Sequence, residues 1–267
     1  MKILVTGATG NIGRMVVDHL LAGGADDVRA LTTNPAKAHL PDGVEVAVGY
    51  LRTLETLPAA LEGVDRLYLA PVLDTVTDVV RLAQEAGVRH IVDLSGDETT
   101  DWQPIAKAVE ASGVAWAHLY AGEFVENTTV WADQVRTTGE VREPYPDAAN
   151  APVAMDDIAR VAAAVLLGEG HEGAVHTLTG PETMTRCERL LRLGTVLGRD
   201  LAFVEVSLDE AATVLEPAMG EYARWYLEGF AWMVDSPQVA TTTIADVTGV
   251  PATTFERWAS ANADAFR

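Results

Sequence analysis

Residues 1–14 read MKILVTGATGNIGR, and the fold follows from how this stretch is punctuated. Lys2 to Thr6 predicts a short buried strand. Gly7, Gly10 and Gly13 mark a turn, and Ile12 to Leu21 carries the pattern of an amphipathic helix. A strand, a glycine-rich turn and a helix in that order suit the pyrophosphate of a dinucleotide. The glycines let backbone approach the phosphates, and the helix start offers free N–H groups and partial positive charge. The spacing is G-x-x-G-x-x-G rather than G-x-G-x-x-G, so its context carries the reading: the turn follows a strand-like run and opens a helix.

Working outward, strands are expected at Val28–Thr32, Glu45–Val48, Arg66–Ala70, His90–Leu94 and Ala115–Leu119. Helices are expected at Thr53–Leu61, Asp74–Ala86 and Trp102–Ala111, several of them closed by a glycine. Regular strand–helix alternation predicts an α/β fold, a Rossmann-type doubly wound parallel sheet. After Tyr120 the rhythm breaks. Glu123–Thr138, Met155–Leu167, Glu182–Leu197, Leu208–Leu215, Met219–Met233 and Thr254–Phe266 read as helices, with strands at Ala174–Leu178 and Leu201–Val206. The expected organisation is a dinucleotide-binding domain over 1–150 and a smaller, mostly helical C-terminal domain over 151–267, with segments crossing between them. Ligands in such sheets bind beyond the carboxyl ends of the strands. The loops to watch are Thr6–Ile12, Thr32–Lys37, Gly49–Arg52, Ala70–Asp74, Ser95–Trp102 and Tyr120–Asn127, with the second domain expected as a cap.

The chain has 267 residues, 48% of them hydrophobic, enough for a substantial core. Its net charge of −20 argues against nucleic acid and anionic membranes as partners. A lone cysteine, Cys187, allows no disulfide within the chain, and a reducing cytoplasm is the expected compartment. No run resembles a secretory signal or approaches a membrane span. The histidines lack metal-ligand spacing, so no metal site is expected, and they read as surface or packing residues.

With these elements placed, the chain resembles the NmrA-like group of atypical short-chain dehydrogenases. The resemblance rests on VTGATGNIGR at 5–14, VRALTTNPAKA at 28–38, GVEVAVGYL at 43–51, LPAALEGVD at 57–65, IVDLSG at 91–96, EASGVAW at 110–116, GEFVEN at 122–127, DDIARVAAAVL at 156–166, HTLTGPE at 176–182 and the closing TFERWASANADAF. It implies an NAD(P)-binding Rossmann domain and a small substrate domain, in a group that includes quinone and azo reductases and cofactor-sensing regulators. The cofactor-binding candidates are Gly7, Thr9, Gly10, Asn11 and Ile12 in the turn; Thr32, Thr33, Asn34 and Lys37 after the second strand; Tyr50 and Leu51; Ala70 and Pro71; and Ser95.

The sequence departs from the family's pattern at several positions. The arginine that usually follows the second strand and grips the 2′-phosphate of NADP is Thr33 here, and no acidic residue favours NAD instead. Lys37, Thr33 and Asn34 favour NADP, with NAD as the alternative. The aspartate usually beside the adenine is Tyr50, which can stack on the ring or fill its place. The usual Arg-Pro after the sixth strand is Tyr120-Ala121. The Tyr-x-x-x-Lys or His-x-x-x-Glu positions fall on Trp102 and Ala106, neither of which moves a proton; Lys107 is one residue on.

Ser95 and Tyr120 are therefore the catalytic candidates. Ser95 reads either as a donor to a substrate carbonyl or as a cap on the next turn. Tyr120 reads as a donor to substrate or as packing. Asp97, Glu98 and Asp101 form an acidic loop that reads as solvated or as the source of a base, Glu123 and Glu126 read as surface residues or, by their loop placement, as site residues, and the Trp225/Tyr226/Phe230 stripe as core or as a platform for a flat substrate. The expected function is an NADPH-dependent reductase of a carbonyl or quinone-like, aromatic or polycyclic small molecule. The alternatives are a non-redox biosynthetic enzyme on the same fold, a cyclase, isomerase or dehydratase with the cofactor bound structurally or lost, and an NADP(H)-sensing regulator without turnover.

Overall fold

The computed structural model describes residues 1–267. The chain opens with β1 (Ile3–Val5), α1 (Asn11–Ala22), β2 (Val28–Thr32), β3 (Glu45–Val48), α2 (Leu57–Leu61) and β4 (Arg66–Leu69). It continues through α3 (Val76–Glu85), β5 (His90–Ser95), α4 (Gln103–Ala111), β6 (Ala115–Ala121), α5 (Ala132–Thr137), β7 (Glu140–Glu143), β8 (Ala149–Asn150) and α6 (Met155–Leu167). Then come β9 (Ala174–Leu178), β10 (Met184–Thr185), α7 (Arg186–Leu197), β11 (Ala202–Glu205), α8 (Leu208–Met219), α9 (Tyr222–Glu228), α10 (Thr243–Thr248) and α11 (Phe255–Ala261). No helix is long and apolar enough to cross a membrane.

Two compact units result. Met1–Ala121, Met155–Leu178 and Thr243–Val250 make the first; Gly122–Ala154, Thr179–Thr242 and Pro251–Arg267 make the second. The division is not a single cut near residue 150. β9 hydrogen-bonds in parallel to β6, with Leu119 opposite His176, and α6 packs on α1. The sheet thus draws 155–178 into the first unit, while 122–150 belong to the second.

The first unit carries a seven-stranded parallel sheet in the order β3-β2-β1-β4-β5-β6-β9. Strand order reverses on either side of β1 and β4, the switch point where such sheets take ligands. Side chains alternate between the two faces. Leu4, Leu67, Leu69 and Ile91 join α2, α3 and α4 in one apolar cluster. Ile3, Val5, Tyr68 and Val92, also buried, point to the opposite face, the side of α1 and α6. β5 and β6 run one and two residues further than the sequence pattern indicated, so Ser95 and Tyr120 end as paired strand residues.

The second unit pairs β7 in parallel with β11 and β8 in antiparallel with β10. Its core gathers Trp131, Val135, Leu190, Leu193, Phe255 and Trp258. α7 opens on a capping box: Thr185 Oγ1 accepts from the Glu188 N–H, and the Glu188 carboxylate accepts from the Thr185 N–H. The helix expected over 219–233 is broken into α9 and a 3-10 turn at Ala231–Val234, because Gly229 ends the first piece. The helix expected over 123–138 likewise divides into a 3-10 stretch, Val125–Trp131, and α5.

Candidate functional site

The glycine turn links β1 to α1 in the first unit. Gly7 has φ +62°, in the left-handed region that glycine enters without strain. A Cβ on Gly13 would lie 2.2 Å from the Gly7 carbonyl oxygen, so the turn closes on the helix only with glycine there. Gly10 precedes α1 in extended conformation and gives it no side-chain cap. The first helical N–H groups, from Asn11 onward, have no partner within the helix. These groups and the helix dipole fit a phosphate.

Beside the turn lies a cleft of about 290 Å³, lined by Gly7, Thr9, Thr32, Thr33, Tyr50, Leu51 and Ala70, with Leu31, Gly49 and Val72 completing it. Seven of the sequence candidates thus converge. The Thr6 hydroxyl donates to the Tyr68 carbonyl at 3.0 Å and accepts from the Ala70 N–H at 2.8 Å, tying β1 to the end of β4. Thr32 Oγ1 accepts from the Asn34 N–H at 3.2 Å and shapes the turn after β2. Tyr50 is exposed, whereas Leu51 is buried. Gly10, Asn11 and Ile12 stand at the start of α1, outside the lining of the cleft; Asn34, Lys37, Pro71 and Ser95 are also outside it.

Ser95 and Tyr120 are direct partners across β5 and β6. Ser95 Oγ is buried and has no hydrogen-bond partner. It does not cap the following turn. Asp97 does so, accepting from the Thr99 N–H at 2.8 Å and the Thr99 hydroxyl at 2.6 Å. Tyr120 lines a second cleft, of about 340 Å³, with Asp97, Glu98, Thr99, Gln103, Ala106, Lys107 and Glu110. Burial raises the Tyr120 phenol above its ordinary value, and Asp93, Glu110 and Asp97 push the same way. Trp102 is exposed just before α4, and Ala106 is buried against the second cleft.

One group escaped the sequence reading. His118 is not a surface or simple packing residue: its Nδ1 lies 2.7 Å from Asp93 Oδ2, both side chains are fully buried, and its Nε2 is 3.5 Å from Glu110 Oε1. Trp116, His118 and Tyr120 alternate along one face of β6, their rings stacked at 4.0 Å and 5.8 Å. The period-two spacing of those three residues was the available signal; the partner carboxylate on the next strand gave none.

The second unit also corrects the surface reading of Glu123. Its carboxylate pairs with Arg189 at 2.9 Å and accepts from Asn150 Nδ2 and the Tyr226 hydroxyl, both at 2.7 Å. Burial acts to raise its pKa, but Arg189, Arg186 and those hydrogen bonds outweigh it, and the carboxyl is held below its ordinary value. Arg186, fully buried, pairs with Glu143 and lies 3.7 Å over the Phe230 ring. Of the aromatic stripe, only Trp225 is largely exposed; Tyr226 and Phe230 belong to this ion cluster.

The chain is 37% identical to a (4-alkanoyl-5-oxo-2,5-dihydrofuran-3-yl)methyl phosphate reductase of Streptomyces griseus, over 99% of both chains. It is 33% identical to an NAD(P)H azoreductase of Xenophilus azovorans, again over 99% of both. Its fold matches that of a triphenylmethane reductase of Citrobacter sp. with a TM-score of 0.88 at 23% identity, covering 98% of this chain and 99% of that one. The model of the NmrA-like family matches residues 1–236, and the chain belongs to that family.

Proposed function

We propose that this protein is an NADPH-dependent reductase that passes a hydride to an electrophilic carbon of a carbonyl or quinone-like, aromatic small molecule. The observation that carries the reading is the cradle at the start of α1. Left-handed Gly7, the tight Gly7–Gly13 approach and uncapped helical N–H groups fit a pyrophosphate, and the cleft beside them gathers Thr9, Thr32, Thr33, Tyr50 and Leu51. The kinship with proteins named as a dihydrofuranyl methyl phosphate reductase and an NAD(P)H azoreductase supports the same reading.

NADPH, when bound, supplies the hydride. The chain's own part is to bind, orient and present hydrogen-bond donors. Tyr50 and Leu51 offer an apolar wall to the adenine. Ser95 Oγ, buried and unpartnered, is available to a substrate oxygen. Tyr120 keeps its proton at Oη, since burial and the surrounding carboxylates disfavour the phenolate. It therefore serves as a hydrogen-bond donor to the developing oxyanion, and a quinone-derived product takes its remaining proton from water or from a neighbouring phenol of its own.

Titration with NADPH, followed by tryptophan fluorescence, tests the binding half. Turnover over a panel of quinones and aromatic ketones tests the other. Saturable binding with NADPH oxidation dependent on substrate is expected; binding without turnover across the panel would move the protein to the class of cofactor sensors.

A further inference from the structure

The arginine that the family pattern sets just after β2 is absent, and Thr33 stands in its place. A different arginine reaches this segment. Arg14 lies on α1, one turn beyond Gly10, and its Nη1 donates to the His39 carbonyl at 2.6 Å. Its Nε donates to Asp18 Oδ1 at 3.3 Å. The first of these contacts ties the guanidinium to the far end of the segment that leaves β2 at Thr33; the second is an ion pair within α1. They engage Nε–H and one N–H of Nη1, so Nη2 and the second Nη1 hydrogen retain donor capacity. The side chain is about one-third exposed, open to a ligand.

Arg14 is thus ion-paired with Asp18, and Lys2, Arg29 and Arg52 are held by partners away from this segment. Lys2 pairs with Glu45 at 2.6 Å. Arg29 is buried and donates to the carbonyls of Ala60 and Glu62 at 2.7 and 2.8 Å. Arg52 pairs with Asp74 at 2.5 Å. That leaves Lys37 on the segment that follows β2 and Arg14 held to the His39 carbonyl at the far end of that segment. No aspartate or glutamate occurs between Val28 and Pro41. A carboxylate at this place would favour an unphosphorylated ribose diol, and cations favour a phosphate. A guanidinium with free Nη hydrogens suits the bidentate geometry of phosphate better than an ammonium does.

We propose that Arg14, assisted by Lys37, recognises the 2′-phosphate of NADP(H), so that α1 supplies both the pyrophosphate cradle and the discrimination against NAD(H). This inference rests on the reading that the protein binds a nicotinamide dinucleotide.

Calorimetric titration of the whole protein tests it, with NADPH, NADH, 2′,5′-ADP and 5′-ADP as probes. Arg14→Ala is expected to weaken NADPH and 2′,5′-ADP by roughly 10- to 100-fold, the range for a lost hydrogen bond to a charged group. NADH and 5′-ADP should stay within about twofold, which also shows that the variant is folded. Arg14→Lys should fall between wild type and Arg14→Ala, because it restores charge without the fork. Equal loss for phosphorylated and unphosphorylated probes, or no loss for either, overturns the proposal and leaves Arg14 as a strut for the 33–39 segment. If wild type binds none of the four probes, the cofactor reading falls, and this inference with it.

Discussion

His118 Nδ1 lies 2.7 Å from Asp93 Oδ2, on neighbouring strands of the sheet and with no exposed surface on either side chain. Two polar side chains sealed this way hold each other, and removing one strands the other in a low-dielectric interior. Asp93→Ala is therefore expected to cost about 3–5 kcal/mol, the range for breaking a buried pair. Replacing both residues by leucine should recover most of that loss, because no polar group is then left unpaired. Urea denaturation of the two variants checks the contrast; equal instability of the single and double variants would contradict it.

Tyr120 and Ser95 are expected to act through hydrogen bonds to substrate. Tyr120→Phe and Ser95→Ala should each lower kcat by about 10-fold, roughly 1.4 kcal/mol, while leaving NADPH affinity unchanged. Because burial raises the Tyr120 phenol, the midpoint of any alkaline decline in the wild-type pH–rate profile attributable to it should lie above 10, its ordinary value. Steady-state kinetics carried from neutrality to beyond that value gives the answer. Full activity in both variants would remove these residues from the site.

Acid should destabilise the protein in two stages. Burial holds His90 and His176 below their ordinary 6.5. The native state then binds fewer protons than the unfolded chain, so their contribution is complete above pH 6.5 and declines as pH falls below it. Glu123, held below its ordinary 4.5 by the two arginines, contributes fully above that pH and loses its contribution on further acidification. Thermal melts at stepped pH should show both losses, and His90→Gln should shrink the first while leaving the second.

Tyr226→Phe removes the hydroxyl that donates to Glu123 at 2.7 Å. A hydrogen bond to a charged group is worth about 1.5–3 kcal/mol, and chemical denaturation should show a loss in that range. Loss of the ring itself, in Tyr226→Ala, should cost more through its edge contact with Phe230.

Gly13→Ala places a methyl group 2.2 Å from the Gly7 carbonyl oxygen, a separation no relaxed structure holds. The turn must open, and NADPH affinity is expected to fall by at least 10-fold, about 1.4 kcal/mol. Gly24→Ala, where nothing lies within 4 Å but φ is +87°, should leave affinity intact and cost only backbone strain. Fluorescence titration of the pair separates the cradle from a general effect of losing a glycine.

The local chemistry of MKILVTGATGNIGR was sufficient for the strand–turn–helix cradle, since glycine spacing and a helix start act within fourteen residues of chain. Alternation of apolar strands with amphipathic helices likewise made β1 to β6 and their parallel pairing legible, because side-chain periodicity records which face is buried. The seventh strand was visible as a strand, but its place beside β6 was not: pairing partners are chosen by the tertiary fold, and the pattern of Ala174–Leu178 carries no address.

The same limit hid the polar pairs. Glu123 looks like a surface residue at the start of a helix, and His118 like an isolated ring; only the fold brings Arg189 to the one and Asp93 to the other. Arg14 carries no signal of its own in the sequence, and only the chain's return at His39 brings a carbonyl to it. Sequence alone determined the class of fold and the strand–turn–helix that opens it, which depend on near neighbours. Tertiary structure decided which charges meet, because burial and long-range contact set the partners of an ionisable group.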